Sequence, residues 1–176
     1  MSKRWNAVTV LAVMMVAGML AAVPAAAEGV AATATATVRR VVVSIPDRKL
    51  AVIEDGATVE IYDVAVGKPS TPSPVGTFTI VNRVAHPAYY RPGLVIPAGD
   101  RNPLGTRWMG LSEKGYGIHG TDQPGSIGDA KSHGCIRLRN ADVERLFERL
   151  RPGDVVELHA ERTPEIETLF PANGQV

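Results

Sequence analysis

The stretch VRRVVVSIPDRKLAVIEDGATVEIYDVAV, residues 38–66, carries three β-branched or apolar runs separated by two turn signals. Val38 to Ile45 and Leu50 to Glu54 flank Pro46-Asp47-Arg48-Lys49, a polar turn between strands. Asp55-Gly56 is a strong two-residue hairpin signal and leads into Val59 to Val66. Three strands with short connections predict an antiparallel meander.

Downstream, the prolines of Gly67 to Pro74 exclude a helix or central strand and predict a rigid loop before Thr77 to Val81 resumes β character. Ala85 to Gly105 has no consistent period and exceeds ordinary connections, which makes it either a binding loop, with Tyr89 and Tyr90 available to stack on a ligand, or an insertion. A helix is expected after Asn140, read as its N-cap, because Val143, Leu146, Phe147 and Leu150 recur at helical spacing. Asp142 and Glu144 suit its first turn, Arg149 and Arg151 its end, and Pro152-Gly153 its stop. Asp154 to His159 reads as a last strand, followed by a tail, 161–176, without an evident partner.

Upstream, Lys3 and Arg4 precede an apolar run from Ala7 to Val23 and the small residues Ala25 and Ala27. This pattern predicts a secretory signal peptide over 1–27 and a flexible lead-in over 28–37, with an uncleaved anchor as the alternative. Cleavage would leave no stable membrane insertion and an exported domain, in the periplasm or cell wall. The formal charge of the 176-residue chain is +1, which gives no argument for nucleic acid. Its single cysteine, Cys135, excludes an internal disulfide. An unpaired thiol in an oxidising compartment needs a reason to be there, either burial as a small hydrophobe or chemistry.

Its neighbours favour chemistry. Tyr116-Gly117-Ile118-His119-Gly120-Thr121 and Ser132-His133-Gly134-Cys135-Ile136-Arg137-Leu138 bring two histidines and the thiol close in sequence. An imidazole can take the proton of a thiol whose ordinary pKa is about 8.5. Gly134 marks a tight turn whose N–H groups could meet an oxyanion. His119, arriving on another strand, is favoured over His133 as the base. A zinc site completed by Asp122 or Asp129 is the competing chemistry. Arg137 would either orient a substrate carboxylate or pair with a buried acid. His86 and His159 have no catalytic task.

These residues, with Asn140-Ala141-Asp142-Val143 after them, resemble the signature of the L,D-transpeptidase catalytic domain, also called the YkuD domain. Thr71-Pro72-Ser73-Pro74-Val75-Gly76-Thr77-Phe78 and Asn102-Pro103-Leu104-Gly105 resemble two further elements of that family, in the family's order. The resemblance covers Val38 to Ala160 and sets the expected catalytic domain at 38–160. It implies a mainly β fold, sandwich-like or an open barrel, with one short α-helix. Carried over, Cys135 is the nucleophile and His119 the base, its other ring nitrogen held by the Gly120 carbonyl. The N–H groups of Gly134 and Cys135 form the oxyanion hole, and Arg137, Ser132 and His133 contact substrate.

The implied reaction is acyl transfer on peptidoglycan stem peptides. Cys135 attacks the carbonyl of the third stem residue, D-Ala leaves, and an amine of a second stem or of an envelope protein resolves the thioester. No metal or other cofactor is implied, and carbapenems are expected to acylate Cys135. Attack by water would make the protein an L,D-carboxypeptidase, and loss of chemistry a wall-binding protein. The sequence shows no separate wall-binding module.

Overall fold

The computed structural model describes residues 37–172. The expected signal peptide over 1–27, and all but the last residue of the lead-in over 28–37, lie outside the described residues. Among the described residues no helix is long and apolar enough to cross a membrane.

The meander forms as β1 (Arg39–Ser44), β2 (Lys49–Glu54) and β3 (Ala57–Asp63). Asp55 and Gly56 both have positive φ, 49° and 84°, the conformation a tight hairpin loop requires. There follow β4 (Val66–Gly67), β5 (Gly76–Ala85), β6 (Tyr89–Arg91), β7 (Leu94–Ile96), β8 (Arg107–Leu111), β9 (Gly117–His119), β10 (Ala130–Ser132) and β11 (Ile136–Arg137). The chain then forms α1 (Asn140–Arg149), β12 (Val155–His159) and α2 (Pro164–Leu169). Eight strands make one mixed sheet in the order β11-β9-β8-β5-β12-β1-β2-β3, while β10 pairs with β4 and β6 with β7.

Val41 to Ser44 of β1 and Leu50 to Ile53 of β2 are all buried, so these central strands are covered on both faces. That is why they read as continuous apolar runs and not as alternation. Val41, Val43, Leu50 and Val52 join the main core with Val143, Leu146 and Leu150 from α1 and the residue following it. Val42, Ala51 and Ile53 face the other way and meet Ile166 and Phe170. The first half of β5 pairs with β12 and the second half with β8, with a bulge between Ile80 and Asn82 close to the changeover. A bulge bends its strand and increases the local twist, which turns the β8-β9-β11 edge away from the plane of the meander.

The mainly β fold is as expected, but four local expectations are corrected. The third strand runs from Ala57 to Asp63 instead of Val59 to Val66, because Val66 and Gly67 leave the meander to pair with β10. The segment 85–105 is not featureless, since Tyr89–Arg91 and Leu94–Ile96 form a hairpin around Pro92-Gly93. The tail after Glu161 is not partnerless, for α2 closes the second core cluster. Finally, the residue before α1 is Arg139, and Asn140 is the first helical residue, its side chain turned to a different use.

Candidate active site

β9 lies between β8 and β11, and register places His119 opposite Trp108 on one side and Arg137 on the other. The Trp108 ring stacks on the imidazole, with centroids 5.7 Å apart and planes inclined 26°, while its Nε1–H donates to Asn82 Oδ1 at 3.0 Å. Gly117 permits this approach, because a Cβ there would sit 2.6 Å from the indole. His119 Nδ1 lies 2.6 Å from the Gly120 carbonyl oxygen. A carbonyl can only accept, so Nδ1 carries the hydrogen and the neutral ring keeps its lone pair on Nε2.

His119 is 4% exposed, and burial is the main cause that pushes its pKa down to about 4. The Gly120 hydrogen bond opposes that shift, and the Arg137 charge adds to it. Cys135 moves the other way: burial raises its thiol pKa, with a Gly117 backbone hydrogen bond and the Arg137 charge pulling it back. The resting pair at neutral pH is therefore uncharged thiol and uncharged imidazole. A preformed thiolate is not what this environment favours.

Cys135 is set by the turn before β11. Gly134 has φ +109° and a Cβ on it would sit 2.5 Å from Tyr116 Cε1, so the position takes glycine on two grounds. The buried Ser132 hydroxyl donates to the Cys135 carbonyl at 2.6 Å and accepts from the Gly134 N–H at 3.0 Å. The proline-rich loop braces the same turn, with the Lys68 N–H and the Thr71 hydroxyl both donating to the Ser132 carbonyl, at 3.1 and 3.3 Å. Sγ of Cys135 lies 3.7 Å from the Gly115 carbonyl oxygen.

Cys135, His119, His133 and Arg137 all border one cavity of about 1100 Å³. Its far wall is the β6–β7 hairpin, which contributes Tyr89, Tyr90 and Arg91. Asn102 anchors the base of that wall: it is fully buried, and its Nδ2 donates to the carbonyls of Pro87, Ile96 and Pro97 at 2.8, 3.2 and 3.0 Å. Arg137 borders the cavity, forms no ion pair among the described residues, and has its Nε buried without a partner, so the expected pairing with a buried acid is not found there.

Two expected roles need correction. Ser132, expected at the substrate, does not border the cavity, and its hydroxyl is fully buried and tied to the turn. The Gly134 N–H is engaged by Ser132 Oγ, which leaves the Cys135 N–H as the candidate oxyanion donor of the two. Among the described residues no three His, Cys, Asp or Glu side chains gather as a metal site would require. Asp129, one of the carboxylates considered as a ligand, pairs with Lys131 at 2.6 Å. Sequence reasoning marked Tyr89 and Tyr90 as candidate ligand contacts but missed Trp108, Asn82 and the hairpin form of the wall. Of these, Pro92-Gly93 was a turn signal, whereas nothing in the sequence links Trp108 to His119.

The model of the L,D-transpeptidase catalytic domain (YkuD) family matches residues 38–158. Over 107 residues the chain is 43% identical to the putative L,D-transpeptidase YkuD of Bacillus licheniformis, covering 61% of this chain and 57% of that protein. It is 39% identical over 118 residues to the putative L,D-transpeptidase YqjB of Bacillus subtilis, covering 64% and 66%. The chain thus spans about three fifths of the length of these curated relatives. Among solved structures, the catalytic domain of an Enterococcus faecium L,D-transpeptidase superposes with a TM-score of 0.58 at 27% identity, over 69% of this chain and 96% of that one. An L,D-transpeptidase from Mycobacterium tuberculosis shares the fold, with a TM-score of 0.60 at 21% identity over 70% and 58%. With its family elements spread over nearly the whole described domain and its thiol and imidazole opening onto one cavity, the chain belongs to the L,D-transpeptidase catalytic domain family.

Proposed function

We propose that this protein is an exported cysteine L,D-transpeptidase that acts on peptidoglycan tetrapeptide stems in the periplasm or cell wall. The observation that carries the reading is that Cys135 and His119 border the same cavity from one end of the sheet, with His119 Nδ1 bound and Nε2 left as the proton acceptor. Because both groups start uncharged, the Cys135 proton passes to Nε2 as Sγ bonds to the carbonyl carbon of the third stem residue. The developing oxyanion is stabilised at the Cys135 N–H. Collapse breaks the bond to the terminal D-Ala, whose amine takes the proton from Nε2, and a thioester remains on Sγ.

An acceptor amine then attacks the thioester. It loses its proton to His119, and that proton returns to Sγ as the new amide forms. Arg137 and His133, both on the cavity wall, are assigned to binding the stem, and Arg137 also favours the transient thiolate. The acceptor is a second stem or an envelope-protein amine.

The test is intact-mass spectrometry of the purified chain with a disaccharide-tetrapeptide. An acyl adduct on Cys135 with release of D-Ala, both absent in Cys135→Ala, is expected. Folded protein with neither product refutes the reading. Adding an acceptor amine should give cross-linked dimer, whereas tripeptide alone would indicate the carboxypeptidase.

A further inference from the structure

The hydrogen bond that fixes His119 ends on a peptide unit that the sheet does not hold. β9 stops at His119, and the ladder reaches no further than the Gly120 N–H, which donates to the Arg107 carbonyl at 3.1 Å. The next unit, Gly120–Thr121, carries the carbonyl that receives His119 Nδ1. Its N–H belongs to Thr121 and donates to Asn140 Oδ1 at 3.1 Å. A peptide unit is planar, with its N–H and C=O pointing in opposite directions, so fixing one end fixes the other.

Asn140 Oδ1 also accepts from the Thr106 N–H at 3.3 Å, which ties in the segment that follows Asn102-Pro103-Leu104-Gly105. Gly105 and Gly120 pack around this oxygen, and a Cβ on either would collide with it. Two segments distant in sequence, 105–106 and 120–121, therefore close around a side-chain oxygen carried by a third, at the peptide unit that receives the imidazole's hydrogen bond. Placed at the first residue of α1, Asn140 is carried by a helix whose Val143 and Leu146 are fully buried, so the oxygen has a rigid mount.

We propose that Asn140 is a positioning residue: by holding the Gly120–Thr121 peptide plane it fixes the orientation and the Nδ1–H tautomer of His119. The inference rests on the reading of His119 as the general base for its kinetic consequence, but the tautomer can be read without any turnover. Asn140→Ala removes the acceptor, whereas Asn140→Asp keeps an acceptor oxygen on the same stem and, as an acid in a first helical turn, suits that position.

The experiment combines multiple-bond 15N NMR of the His119 ring at pH 7 with D-Ala release kinetics, on variants whose circular dichroism matches the parent. Asn140→Ser, whose shorter arm cannot span both N–H groups, replaces the alanine variant should that one not fold. The parent should show a single Nδ1–H tautomer. Asn140→Ala should show the ring shifted towards the Nε2–H form, with kcat lowered by about tenfold or more and KM changed by less than about twofold. Asn140→Asp should restore the tautomer and most of kcat. A folded alanine or serine variant with the parent's ring signature overturns the proposal, as does an aspartate variant no better than alanine. If the parent itself releases no D-Ala, the transpeptidase reading fails, while the ring signature still decides the role of Asn140.

Discussion

Removing the proton-binding ring at His119 should flatten the acid limb of the protein's stability. The folded state holds the imidazole at a pKa of about 4, against an ordinary 6.5, mainly through burial. Between those values an unfolded chain binds a proton that the folded chain refuses, so the stabilising contribution is complete above pH 6.5 and is lost as pH falls towards 4. The gap between 6.5 and about 4, at about 1.36 kcal/mol per tenfold change in proton affinity, gives about 3 kcal/mol. The comparison is His119→Gln, whose amide can still donate to the Gly120 carbonyl but does not titrate. Urea unfolding followed by tryptophan fluorescence at pH 7 and pH 4 gives two differences, and the parent should lose about 3 kcal/mol more than the variant. Every other side chain is common to the two proteins, so the difference between them isolates position 119. Equal losses would refute the neutral, desolvated imidazole, and with it the concerted transfer of the Cys135 proton.

Ser132→Ala leaves the Gly134 N–H and the Cys135 carbonyl without their partner, and should lower stability by about 2–4 kcal/mol in denaturant titration while slowing iodoacetamide alkylation of Cys135. Gly134→Ala places a methyl group against Tyr116 at positive φ and should cost about 3 kcal/mol, with loss of D-Ala release in the fraction that folds. Ile166→Ala, in α2, should cost about 3 kcal/mol by cavity formation against Val42, Ala51 and Ile53. Calorimetry would read this last change as a lower melting temperature, and an unchanged value would mean that α2 lies outside the cooperative unit.

The meander was legible because its turns are local: Asp55-Gly56 alone dictates positive φ at two successive residues. The helix α1 was legible from its period, and the thiol and imidazole from their glycine-flanked settings. α2 escaped because six residues are too short to display a period, although Thr163 before Pro164 is a cap followed by a favoured first residue, with the Thr163 hydroxyl accepting from the Ile166 N–H. Asn140 misled for the opposite reason. Its residue type suits a helix cap, and sequence cannot reveal that two backbone N–H groups from positions 106 and 121 arrive at its oxygen instead. Ser132 was expected at the substrate from the family resemblance, yet its side chain is fully buried. Its two bonds to the following residues are a matter of turn geometry.

The place of β12 between β5 and β1 has a consequence for how the catalyst comes into being. The strand nearest the carboxyl terminus is the seam between the half-sheet bearing Cys135 and His119 and the half-sheet made first during synthesis. A folding chain with β1 to β3 already paired has an unfilled lane beside β1 until Val155–His159 docks, and closing that lane means joining residues more than a hundred positions apart. Such distant pairing is slow and comes late. The turn that bears Cys135 is thus settled late in folding, and a product ending before Val155 would have no strand shared by the two half-sheets, with the Ala65–Arg137 bridge as a remaining backbone link between them.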